Sequence, residues 1–152
     1  MRTWPKNQNA GSVDYGPLTM SLKIEERWEK YGSKKPDWPE WEVYPASPWN
    51  FGLDLNPESL AKAIKVVRRV GPIAPNPFTP QTAPIELRAP ARRIPNWQMD
   101  PLSMVGKLQA SPVKSDQTLE TITLIPMGAA RLRITAFPLI GHGNDAQEWA
   151  AE

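Results

Sequence analysis

Proline constrains this chain more than any other feature: 18 of 152 residues, about 12% against an average of about 5%. Each proline fixes φ and removes a backbone donor, so long helices and uninterrupted central strands are disfavoured. What remains is short strands joined by stiff turns. The prolines gather between apolar stretches, at 34–48, 71–84 and 95–112. These stretches also carry Trp, Phe, Met and Leu, and they lack the charge density of disorder, so they are expected to lie ordered across a surface.

Between them the hydrophobic period is two. Leu18, Met20, Leu22 and Ile24 alternate with Thr19, Ser21 and Lys23, as a half-buried strand requires. Phe51, Leu53 and Leu55 repeat the pattern, as do Ile85, Leu87 and Ala89 around Glu86 and Arg88. Residues 121–125 and 131–135 flank Pro126-Met127-Gly128-Ala129-Ala130, which suggests a hairpin. Asn56-Pro57-Glu58 reads as a helix start, and a single helical turn followed by a strand is expected there. At the N-terminus Arg2-Thr3-Trp4 reads as the end of one strand, 6–11 as a turn and 12–24 as the returning strand. The first strand is therefore expected to fall short of its full length. On this phasing Leu22, Leu87, Leu124 and Ile134 point inward. The fold class is all-β, an antiparallel two-sheet β-sandwich, jelly-roll-like, with long proline-rich loops.

Few function classes survive the composition. The chain has no cysteine and a single histidine, His142, between two glycines. A Ser-His-Asp triad needs a preorganised base, and a zinc site needs three or four Cys, His or carboxylate ligands. Neither pattern is present, nor is a glycine-rich phosphate loop. Net charge is +2, and the basic residues occur as scattered pairs (Lys34-Lys35, Arg68-Arg69, Arg92-Arg93), so no nucleic-acid partner is expected. No apolar run approaches the roughly 20 residues of a membrane span, so no membrane partner is expected either. The first residues lack the apolar centre of a signal peptide, and localisation is left unassigned; a longer parent is a candidate for export to the periplasm or beyond.

The stretch WEVYPASPWNFGL concentrates aromatics and prolines. Trp38, Trp41, Tyr44 and Trp49 are the candidate contact residues, either stacking on sugar rings or packing against the sandwich and a neighbouring domain. Asp37, Glu40 and Glu42 beside them form the one candidate pair-of-carboxylates arrangement for glycoside cleavage. Packing is the preferred reading, with the segment a proline-stiffened loop leading into the strand at Phe51.

Four blocks in order carry a family resemblance: SVDYGPLTMSLKI, DWPEWEVYPASPWNFGL, TPQTAPIELRAPARRIPNW and SPVKSDQTLETITLIPMGAARLRITAFP. Together they resemble the C-terminal, non-catalytic part of proteins similar to glycoside hydrolase family 127, which contains β-L-arabinofuranosidases. The resemblance implies a bacterial parent with an (α/α)6 helical barrel followed by β-sandwich domains. Its cysteine nucleophile, glutamate and zinc would lie in that barrel, so no catalytic, metal or cofactor position is carried over here. On this basis residues 1–27 are the final hairpin of a preceding sandwich or the first strands of this one, 28–141 the C-terminal sandwich region, and 142–152 a tail. The implied partner is the helical catalytic barrel, with a plant-type arabinofuranose glycan and a second copy of the chain as further candidates. The alternative is an autonomous carbohydrate-binding module using Trp38, Trp41 and Trp49.

Overall fold

The computed structural model describes residues 1–32 and 37–150; the basic pair Lys34-Lys35 lies outside the described residues. Among the described residues ten strands follow in order: β1 (Arg2–Trp4), β2 (Ala10–Ser12), β3 (Asp14–Tyr15), β4 (Leu18–Leu22), β5 (Glu26–Tyr31), β6 (Glu40–Pro45), β7 (Phe51–Leu53), β8 (Lys65–Arg68), β9 (Ile85–Arg93) and β10 (Leu119–Pro126). Among the described residues the only α-helical segment is α1 (Leu60–Ala63), a single turn. It follows a 3-10 turn whose Asn56 side chain accepts from the Glu58 amide at 2.9 Å, the cap expected from Asn-Pro-Glu. Strand β8 comes next, as expected.

The fold is all-β, antiparallel and sandwich-like. Its main layer is a six-stranded curled sheet in the order β3-β4-β10-β9-β7, with β8 also paired to β9. Strand β9 is long enough to hold two short partners in line, β7 against its C-terminal half and β8 against its N-terminal half. Pro90 sits at the gap between them. The register places Asp54 opposite Pro90, and the Asp54 amide donates to the Pro90 carbonyl at 3.1 Å. The donor that proline lacks points to the same side, where the partner chain leaves the sheet for the turn at α1. A proline therefore sits inside a central strand at the one position where its missing N–H costs least.

The second layer is the β1–β2 hairpin and an extended strap at 134–141. The strap bonds both flanks of the sheet: the Leu22 amide on β4 donates to the Ile134 carbonyl at 2.9 Å, and the Leu53 amide on β7 to the Pro138 carbonyl at 2.9 Å. Gly11 and Phe137 exchange backbone bonds at 2.8 and 2.9 Å, which joins β2 to the strap. Ser12 reinforces that junction, accepting from the Trp4 indole and donating to the Thr135 carbonyl, both at 2.8 Å. Between the layers Met20, Leu22, Leu53, Leu87, Leu124 and Phe137 form the centre of one core. The four residues expected inward, Leu22, Leu87, Leu124 and Ile134, are all buried.

Three expectations are corrected. Residues 131–135 are not the return strand of a hairpin: β10 pairs with β4 and β9, and the chain beyond it leads into the strap that bonds β4 and β7. The local pattern is shared by a hairpin arm and a strap, and only the sheet order separates them. The single strand read over 12–24 is broken at Gly16-Pro17, where β3 folds back on β4. Gly16 has φ +57, and a proline cannot take positive φ at the next position, so the two-residue loop needs glycine first, as in a type II′ turn. Finally, the connection read over 34–48 contains β6, which pairs with β5 along its whole length. WEVYPASPWNFGL is thus a strand, a short link and a second strand rather than one loop.

Candidate functional site

Strands β5 and β6 form a two-stranded ribbon separate from the central sheet. Neither strand contains a buried residue. Alternation across the register sorts the side chains onto two faces, Trp28, Lys30, Trp41 and Val43 on one and Arg27, Glu29, Glu42 and Tyr44 on the other. On the first face the indoles of Trp28 and Trp41 meet diagonally, 6.1 Å between centroids at an interplanar angle of 75°. Lys30 Nζ lies 5.6 Å from the Trp41 centroid, and the Arg131 guanidinium 5.2 Å from that of Trp28. Arg131 also bonds Glu26 at 3.3 Å, which ties the ribbon to the segment after β10.

The second face is polar. Glu29 and Glu42 stand directly opposite, a like-charge pair that is unfavourable alone. Arg27 offsets it, pairing with Glu29 and lying 5.0 Å over the Tyr44 ring. The Tyr44 hydroxyl donates to Glu42 Oε2 at 2.6 Å. That hydrogen bond raises the Tyr44 pKa above its ordinary value, and partial desolvation and the Glu42 charge push the same way.

The aromatics named from sequence fall in two places. Trp38, just before β6, is 79% exposed, and Trp41 on β6 is 46% exposed. Tyr44 is half-buried on the opposite face, beside a cleft of about 270 Å³ between β6 and the body of the domain, lined by Val43, Pro45, Trp49, Val105 and Ile134. Trp49 has left the ribbon and packs on the core, edge-on to Trp97 at 5.1 Å and 71°. Trp97 is buried, donates its indole N–H to the Gly106 carbonyl at 3.0 Å, and rests against Trp149 at 5.6 Å. The ring partners of Trp41 and Trp49 are therefore different residues, Trp28 and Trp97. Of the carboxylates, Asp37 and Glu40 are exposed and Glu42 is taken up by Tyr44.

Sequence reading passed over Trp28 and Arg131. In ERWEKY both alternating phases mix charge and aromatic, so no apolar period marks a strand. A second missed cluster joins residues far apart in the chain. Asp54, at the end of β7, accepts from Arg92 Nε at 2.7 Å and bonds His142 Nε2 at 2.8 Å. Burial raises the Asp54 pKa, but the two hydrogen bonds and the neighbouring charges outweigh it and hold the carboxyl below its usual value. His142 opens onto a polar cleft of about 590 Å³ with Lys114, Gln117 and Glu148. Ser115 lines the same cleft, yet its hydroxyl donates to the Arg93 carbonyl at 2.6 Å. Among the described residues no group of three or more His, Cys, Asp or Glu side chains is arranged to hold a metal ion.

Comparison with protein-family models, with curated proteins and with solved structures gives no match.

Proposed function

We propose that this chain is a non-catalytic accessory domain that docks on a partner domain through the aromatic face of the β5–β6 ribbon. The observation that carries the reading is the contrast in that ribbon: six-residue strands in full register, with no buried side chain, with Trp28 and Trp41 exposed on one face and Trp38 exposed just before β6. Large aromatics concentrated on an element that contributes nothing to the core are characteristic of a contact surface. The four sequence blocks that resemble family 127-like glycoside hydrolases name the partner: the helical catalytic barrel of such a parent, whose substrates would be arabinofuranose-containing glycans.

The competing glycan-module reading makes a different demand, open and coplanar indoles with polar groups at their edges. Trp28 and Trp41 stand nearly perpendicular, and Lys30 and Arg131 lie over their faces. That arrangement favours docking over ring stacking. Two measurements separate the readings. The chain should associate with a family 127 barrel stripped of its own sandwich region, and a Trp28→Ser/Trp41→Ser variant that keeps its fold should lose that association. Arabinose-containing oligosaccharides should leave the tryptophan fluorescence unchanged. Saturable sugar binding abolished by Trp41→Ala, with the fold retained, would replace docking with the glycan module.

A further inference from the structure

A different face of the molecule carries a second signal. Residues 59–85 contain no Asp or Glu, while Lys62, Lys65, Arg68 and Arg69 fall within them. All four are exposed. Several cations elsewhere meet acids, as in Arg2–Asp14, Lys23–Glu86, Arg92–Asp54 and Arg131–Glu26. Here they do not. Arg68 bonds the Tyr15 hydroxyl, Arg69 the carbonyls of Gln81 and Ala83, and among the described residues none of the four has a carboxylate partner.

The loop that follows these cations, 71–84, presents apolar side chains to water. Val70 is 98% exposed, Ile73 70% and Phe78 68%. The display is built into the loop by its own bonds. The Phe78 amide donates to Asn76 Oδ1 at 3.1 Å, Thr82 Oγ1 to the Asn76 carbonyl at 2.6 Å, and the Ala83 amide to the Thr79 carbonyl at 3.0 Å. Five prolines, at 72, 75, 77, 80 and 84, have no amide donor at all. The Phe78 amide is thus satisfied within the loop, and Pro77 and Pro80 beside it have no donor to lose, which lowers the cost of moving this tip into a medium of low dielectric.

We propose that the 71–84 loop is a peripheral docking site for an anionic lipid surface. Ile73, Phe78 and Val70 enter the headgroup–acyl boundary, and Lys62, Lys65 and Arg69 lie against the phosphates, Arg68 being turned to the other side of β8 toward Tyr15. Uncompensated positive charge selects an anionic partner. Apolar side chains displayed on an exposed, proline-rich loop suit a deformable interface rather than a shaped protein groove. Contact at headgroup depth needs no spanning segment, so the absence of a long apolar run does not oppose it. The inference is independent of the role of the β5–β6 ribbon.

Vesicle sedimentation tests it. The intact chain should partition at least about tenfold more strongly to phosphatidylcholine vesicles containing phosphatidylserine than to phosphatidylcholine alone, and added salt should erase the difference. Ile73→Ser/Phe78→Ser and Lys62→Gln/Lys65→Gln variants, each with unchanged thermal unfolding, should both lose binding. A Phe78→Trp variant should show added blue-shifted emission on vesicle binding, quenched by brominated acyl chains. Equal binding to both vesicle types, anionic binding indifferent to Ile73 and Phe78, or a Phe78→Trp indole that stays in water would each overturn the proposal. So would stronger capture by immobilised polyglutamate than by vesicles, which would assign the face to an acidic protein.

Discussion

The central sheet and the β5–β6 ribbon are both antiparallel and both carry aromatic or branched side chains, yet they solve opposite problems. In the sheet, Leu87, Ala89 and Ala91 of β9 face Ile122 and Leu124 of β10 inside one core, so each residue's packing supports the next. In the ribbon the side chains work in pairs: Trp28 with Trp41, Lys30 with Trp41, Arg27 with Tyr44. An isolated two-stranded hairpin is marginal in water, and such pairs contribute only about 0.5–1.5 kcal/mol each. The ribbon is held at its base, where the Ala46 amide donates to the Glu25 carbonyl at 2.7 Å and Arg131 reaches Glu26. The difference teaches how the chain divides its aromatic residues. Those committed to folding are Trp97, Trp49 and Phe137, while Trp28, Tyr31 and Trp41 of the ribbon stay exposed.

The sharpest test of that division is a pair of truncations. Leu124→Ala, at a fully buried position, should cost about 2–5 kcal/mol in denaturant unfolding. Trp41→Ala, although it removes a larger side chain, should cost only about 0.5–1.5 kcal/mol. Hydrogen exchange on the Trp41→Ala variant should speed up in 26–31 and 40–45 while β9 and β10 stay protected. Equal costs for the two truncations would merge the ribbon with the core and remove the basis for a docking face.

An intermediate effect is expected at Asp54, which ties β7 to residues from two other parts of the chain. Asp54→Asn should lower stability at pH 7 by about 1.5–3 kcal/mol, the range for hydrogen bonds to a charged group. Because the folded-state pKa of Asp54 is depressed, its contribution is present above the unfolded value of about 3.9 and is lost as pH falls through the lower folded value. Thermal unfolding of the wild type and Asp54→Asn should therefore converge in acid. A gap that persists at the lowest pH would mean that the carboxylate's charge is not what stabilises this junction.

The strands with one apolar phase were legible from the sequence. Met20 and Leu22, Phe51 and Leu53, and Leu87 and Ala89 all turn the expected face inward, and Asn56-Pro57 starts the 3-10 turn that leads into α1. Where the phase is not apolar on one side, the reading failed. β5 and β6 place charge and aromatic on both faces, so periodicity had nothing to detect, and prolines at 36, 39, 45 and 48 made 34–48 resemble a loop. Of the candidate site, Trp38, Trp41 and Tyr44 were found by composition. Trp28 and Arg131 were not, because Trp28 joins Trp41 only through a register, and Arg131 joins Trp28 only through the path of the chain after β10.

The sequence by itself determined the class of structure: proline density forbade long helices, period-two runs demanded strands, and alternation chose which side chains are buried. Those are local rules, set by φ, by a missing amide and by the pleat. Tertiary structure alone decided which strands are neighbours, that 134–141 runs as a strap bonding β4 at one end and β7 at the other, and that Asp54 meets His142 across 88 positions. Strand pairing and side-chain meeting depend on closing long loops, whose entropic cost grows only slowly with length. Many pairings are therefore nearly equal in chain entropy, and the choice among them falls to the packing of the whole core.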